Sequence, residues 1–405
     1  MTVPTVKYKS LEELQHEARE AMEKLSLPGA PDEAWRRVPR DVLESFMVPV
    51  MEEKKFRPGR SELFLTGPGQ LVKLESAKYA GADSGEPAAA GEVIPRWVAL
   101  EQSRQALRLQ RANDVEQNLL SAFHLAHAED WYFLRFDGDA EADRHTDIEI
   151  VMTEHSPDTD LFLPFLIVET GHGADADLQV RIRSTGTGPV RGILQVVFLL
   201  EADSNLRYSY TEEGNEGDVF FSFEKSYQAE NTRLHMGHTH GSAGVSMRDG
   251  RHAMLGRGGR FESYTLAKPR EDGFAGQKIS VEHYSPSTSG NVETRSVLDG
   301  SSSSVFVGSI KIPEGAAGSE GYEEHRSLLL SPTARVQSLP ELEIVENDVS
   351  CSHASTVMEP EEEELFYLAS RGIDPAESRS LLTEAFVRQV QSRMPGNQRE
   401  VTENE

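Results

Sequence analysis

From Trp131 to about residue 358 the chain offers short runs of β-branched and aromatic residues, broken by Gly, Asp, Ser and Asn clusters. Such runs are Ile148 to Met152, Leu161 to Val168, Ile193 to Leu200, Val219 to Phe223 and Val305 to Ile312. Leu206, Tyr208 and Tyr210 alternate with Arg207 and Ser209, the period-two sign of a half-buried strand. The lack of a convincing long helix in this stretch argues against regular α/β folds, and leaves a sandwich, a jelly roll or a parallel β-helix. Continuous apolar runs suit strands covered on both faces. No clean fixed-length repeat is visible to choose among these folds.

The flanks read differently. Ser10 and Glu13 form a capping-box pattern, followed by Leu11, Leu14, Ala18 and Met22 at helical spacing. Leu27-Pro28-Gly29-Ala30-Pro31 breaks that helix, and Asp32 reads as the cap of a short segment holding Trp35. A helical pattern returns near 98 to 128, with Leu100, Leu107, Leu119, Leu120 and Phe123. After Pro360, Glu361 to Glu364 open a helix that Gly372 closes, and Asp374-Pro375 caps a second one. On that second helix Leu381, Leu382, Ala385, Phe386, Gln389 and Val390 form a mostly apolar stripe. The expected division is a mostly helical domain over 1–130 with a loop at 80–92, a β core over 131–358, a helical domain over 359–394 and an acidic tail over 395–405.

With 41 Lys and Arg against 67 Asp and Glu, the net charge of −26 argues against nucleic acid or anionic membrane as a partner. The longest apolar stretch, eight residues from Leu161 to Val168, is too short to span a bilayer. A single cysteine excludes a disulfide framework and an all-cysteine zinc site, and points to a reduced, cytoplasmic protein. No phosphate loop, HExxH or GxSxG pattern is present. Two groups could bind metal. His235, His238 and His240 suit a cupin-like start, with His238 and His240 on one face of a strand, yet no acid follows at the spacing a cupin needs. Cys351 and His353, two residues apart, would share one strand face, but a pair alone cannot complete a four-coordinate site.

The C-terminal third carries a longer pattern. Val305-Phe306-Val307-Gly308-Ser309-Ile310-Lys311-Ile312 is followed by Leu328-Leu329-Leu330-Ser331, Leu339-Pro340-Glu341-Leu342-Glu343-Ile344 and Asn347-Asp348-Val349. Cys351-Ser352-His353 and Leu365-Phe366-Tyr367-Leu368-Ala369-Ser370-Arg371-Gly372-Ile373 complete it. This order and spacing resemble the SufB/SufD family of iron–sulfur cluster assembly scaffolds. Leu27-Pro28 with Glu33-Ala34-Trp35-Arg36, and Asn118 to Phe123, resemble its SufD branch. The chain departs from the family pattern with Ala354-Ser355-Thr356 after His353, and with Glu323 where a Gln is common.

The resemblance implies a right-handed parallel β-helix core flanked by N-terminal and C-terminal α-helical domains. It implies a non-catalytic scaffold that pairs with a SufB-like paralogue and docks a SufC-like ABC-type ATPase through Phe366, Tyr367, Arg371, Leu381, Leu382, Ala385 and Phe386. His353, with Cys351, would lie at the paralogue interface where a transient, shared iron–sulfur cluster forms. The isolated chain would hold no tight cofactor. Flavin in the complex and a homodimer of the isolated chain are left open. The alternative from another class is a stand-alone cupin or jelly-roll metal enzyme using His235, His238 and His240.

Overall fold

The computed structural model describes residues 11–25, 32–44, 57–59, 62–66, 70–74, 118–128, 131–137, 145–153, 160–186 and 188–396. Ser10, the break at 27–31, the helical pattern over 98–117, the loop at 80–92 and the tail from 397 lie outside them.

Two sheets share nearly all the strands. One runs β3 (Gln70–Leu74), β4 (Trp131–Phe136), β7 (Phe165–Thr170), β9 (Arg191–Leu200), β11 (Val219–Gln228), β13 (Val245–Met254), β15 (Phe274–His283), β17 (Ser303–Ile312), β19 (Arg335–Ile344). The other runs β2 (Glu62–Thr66), β5 (His145–Thr153), β8 (Asp175–Thr185), β10 (Asn205–Glu213), β12 (Arg233–His240), β14 (Arg260–Ala267), β16 (Ser289–Leu298), β18 (Ser319–Leu329), β20 (Val349–Met358). Short β1 (Arg57–Gly59) pairs with β6 (Asp160–Phe162), which joins β9. Pairing is parallel throughout, except where β2 meets β5 and β3 meets β4. Successive strands alternate between the sheets, so the chain winds as a parallel β-solenoid of about seven turns. A jelly roll, built from antiparallel strands, is excluded. The three strands before residue 75 lie in a stretch read from sequence as mostly helical, and all three join the solenoid sheets, β1 by way of β6.

Among coils stacked in parallel, the step between paired residues ranges from 26, where Val219 faces Val245, to 34, where Trp131 faces Phe165. Turns absorb the difference while the register holds, which is why no fixed repeat is visible. From β4 to β17 the first sheet is covered on both faces. Its outer side chains, among them Phe221, Phe223, Met247 and Val305, form one core with Trp35, Phe123 and Trp131. The second sheet buries one face and exposes a charged one, so β8 and β10 alternate buried and accessible residues.

N-terminal elements dock on the first sheet. Helix α1 (Leu11–Met22) lies against α2 (Leu119–His127), with Gln15 Nε2 donating to the Ala128 carbonyl at 3.2 Å. Asp32 Oδ1 accepts from the Ala34 and Trp35 amides, as a cap should. The Trp35 ring stacks on Phe223 and donates from Nε1 to Asp249 Oδ2 at 2.8 Å. At the other terminus are α3 (Glu362–Ser370) and α4 (Pro375–Gln391). Asp374 caps α4 by accepting from the Ala376 and Glu377 amides. Helix α4 lies across β14 and β16, seating Phe386 and Val390, with Met394 just beyond its end, on Tyr264, Leu266, Val297 and Leu328. The next residues follow the sheet because β12 carries Gly237. A Cβ there would sit 2.8 Å from Pro395 Cδ.

The solenoid interior is polar at one register position. Tyr210, His238, Thr265, Thr294, His325 and Ser355 stack on successive strands of the second sheet. Deep inside, Glu224 accepts from Arg248 Nε at 2.9 Å and bonds His238 Nε2 at 3.0 Å, all three fully buried. Although burial opposes it, Arg248 and then His238 hold the Glu224 carboxyl far below its usual range. Burial lowers His238 and His283 to about 4, and His124, His240, His252 and His325 to about 3.

These six imidazoles stay neutral in the fold, while the unfolded chain takes up protons below pH 6.5. Their contribution is therefore lost as pH falls from 6.5 toward 4. Glu212 and Glu323 act oppositely: burial raises them to about 7 and about 8, so their contribution is lost as pH rises from 4.5 through those values. Histidines outnumber the two acids, so the unfolding midpoint is expected to fall between pH 6.5 and 5, less steeply in His252→Gln. Thermal unfolding across pH 5 to 8 checks this, and a midpoint rising toward acid contradicts it.

Candidate functional site

The parallel stacking stops at β19 and β20. Each is paired on one side only, with β17 and β18. Their free edges present unpaired backbone groups. Apolar side chains are also left in solvent there, with Leu342 37%, Ile344 39%, Val345 68% and Val357 52% exposed.

Cys351 and His353 lie on β20, and strand alternation puts both on one face, as their spacing predicts. Cys351 is half-buried and packs beside Ile310 and Ile312. Gly321 beneath it makes room, since a Cβ there would stand 3.0 Å from the Cys351 Sγ. Burial, then the nearby Glu323 carboxyl, pushes the thiol up from its ordinary value. His353 is exposed.

In register with His353 on β18 is Glu323. It is 1% exposed, and its Oε1 has no hydrogen-bond partner among the described residues. Burial and then Glu341 raise this carboxyl to about 8. Gly308 on the facing sheet accommodates it, because a Cβ there would overlap the carboxylate. From sequence Glu323 stands out only as a departure from a family pattern. Its place beneath His353 depends on a coil length that the variable turns conceal.

The three histidines of β12 do not converge. His238 and His240 point inward, to Glu224 and to Ser246 Oγ at 3.1 Å. His235 lies on the outer face, where its Nε2 donates to the Arg393 carbonyl at 2.8 Å. It borders a groove of about 640 Å³ whose Arg207 and Arg233 are paired with Asp177 and Glu262. The cupin reading therefore loses both its fold and its ligand set. Among the described residues, no three His, Cys, Asp or Glu side chains stand ready to hold a metal ion.

The C-terminal helices present a second surface. No residue of α3 is buried, and Phe366 and Tyr367 are 76% and 57% exposed. Arg371 stands over the Tyr367 ring at 5.2 Å. On α4, Leu381 and Ala385 are exposed and Leu382 is half-buried. Phe386 faces the other way. It is buried against the solenoid, with the Arg295 guanidinium 4.9 Å from its ring centre, so it anchors α4 instead of lining the open face. Among the described residues no helix is long and apolar enough to cross a membrane.

Residues 151–386 match the family model described as SUF system FeS cluster assembly, SufBD core domain. The chain is 24% identical over 284 residues to the iron–sulfur cluster assembly protein SufD of Bacillus subtilis, covering 69% of this chain and 64% of that protein. A SufBD family protein of Mycobacterium tuberculosis is 30% identical over 254 residues, 58% of this chain and 64% of that one. One from Synechocystis is 32% identical over 135 residues, 33% of this chain and 29% of that one. The chain thus spans less than two thirds of these relatives. The solenoid and its two sheets fall largely within the matched core, and on that match the chain belongs to the SufB/SufD family of iron–sulfur cluster assembly proteins.

Proposed function

We propose that this chain is a non-catalytic, SufD-type scaffold subunit of a cytoplasmic iron–sulfur cluster assembly complex. A SufB-like paralogue covers the open end of the solenoid, and a SufC-like ATPase docks on the outer face of α3 and α4. The solenoid winds right-handed, as parallel crossovers overwhelmingly do. The exposed final coil bearing Cys351 and His353 carries this reading. Unpaired strand edges recruit another chain by strand addition. Clusters are held by about four thiolates, and one cysteine cannot supply them. A cluster formed here is therefore transient and shared with thiolates of the paralogue. The same edge would also support a homodimer when the paralogue is absent. Flavin binding belongs to the assembled complex rather than the isolated chain.

The acidic first turn of α3, with Phe366 and Tyr367 beyond it, suits a partner with a basic and apolar face. ATP hydrolysis in that partner reaches the solenoid through α4, whose anchor residues sit directly on β14 and β16.

Pull-down of the tagged chain from its native cytosol, read by mass spectrometry, tests the reading. An ABC-type ATPase and a larger, cysteine-bearing paralogue are expected, and a chain recovered alone would overturn it. His353→Ala is expected to keep both partners yet lower cluster yield about tenfold or more. An undiminished yield removes His353 from the site. Phe366→Asp with Leu381→Asp should abolish co-elution of the ATPase without lowering the unfolding midpoint. Phe386→Asp should instead lower stability, by about 3–5 kcal/mol if the loss resembles truncation of a buried Phe.

A further inference from the structure

We propose that Glu323 is a carboxylate ligand which, with Cys351 and His353, forms a three-residue site for a divalent transition-metal ion at the mouth of the solenoid. The proposal deepens the scaffold reading by naming the cargo as a single metal ion, and rests on that reading only for the ion being iron.

Three features of Glu323 point to a ligand. Its side chain is almost wholly buried, yet Oε1 has no partner among the described residues. A buried carboxyl oxygen left unpaired costs stability that a purely structural position would avoid by a hydrogen bond. Space is kept for it by Gly308, the residue where any side chain would collide with the carboxylate. It also lies one strand from β20, opposite His353 and two residues along β18 from Gly321, the register partner of Cys351. The last coil thereby brings a thiol, an imidazole and a carboxylate to the same end of the lumen.

That donor set matches a borderline divalent ion such as Fe²⁺, Co²⁺ or Zn²⁺. The three groups do not meet at one point in this structure. No hydrogen bond or ion pair among the described residues holds the exposed His353 ring, so rotation about its side-chain bonds is the movement that closes the site. Water or a thiolate from the paralogue takes the remaining position.

The single cysteine makes the test direct. The purified full-length chain is titrated anaerobically with Co²⁺, and the thiolate-to-cobalt charge-transfer absorption is followed. Any such band within the chain comes from Cys351. One equivalent is expected to bind, with no band in Cys351→Ser. Glu323→Gln, nearly the same size and shape, is expected to weaken binding about tenfold or more, and His353→Ala likewise. Gly308→Ala tests the same point without altering a ligand: it displaces the carboxylate and should also weaken binding. Circular dichroism verifies that each variant is folded. A wild-type chain with no thiolate band, or Glu323→Gln and Gly308→Ala with unchanged affinity, would overturn the proposal. The pull-down of the wild-type chain judges the scaffold reading separately, so either can fail without the other.

Discussion

Everything in this molecule depends on one backbone constraint: each coil satisfies its amide and carbonyl groups on the coil before it. Register is kept from β8 to β20 although the chain between paired residues varies in length. Side chains consequently stack in files, like on like position, along the solenoid axis. A file can be apolar, as for Ala176, Leu206, Leu234 and Phe261 inside the second sheet. It can also be polar, as for the file running from Tyr210 to Ser355. The same rule leaves the last coil without a successor, and that is where Cys351 and His353 stand.

A polar interior is costly unless its groups are paired. Arg248 is matched by Glu224, which is matched in turn by His238. The histidines of the core stay neutral and act as donors and acceptors between strands, as His325 does with Ser296 and Ser327. These pairs fix which strand lies above which, a role apolar side chains of similar shape fill less specifically. Glu323 also has an unmatched atom, its Oε1, and it lies in the coil nearest the open end.

Much of this was legible in the sequence. Alternation in Leu206, Tyr208 and Tyr210 marked a strand with one wet face, and the unbroken run Ile193 to Leu200 marked one with none. Caps at Asp374 and Gly372 were readable because their chemistry is local. Contacts made between coils were not. The partners of His238 and His240 come from β11 and β13, at distances that no fixed repeat announces. The stripe on α4 showed that one side of the helix would be covered, but periodicity does not say by what. Phe386 turned out to belong to the solenoid side. The strands before residue 75 are short and hold too few residues for alternation to separate them from helix.

The uneven ends of the solenoid have a further consequence. In a stacked array each unit is stabilised chiefly by its neighbours, so a terminal coil with one neighbour is the first to open. β19 and β20 are such a coil, and they carry the thiol and the imidazole. Local unfolding there would erase the site long before the rest of the molecule yields. Whatever occupies the free edge stabilises that coil by mass action, about 2.7 kcal/mol at a hundredfold excess over its dissociation constant. Order at the site is therefore tied to the supply of whatever covers it.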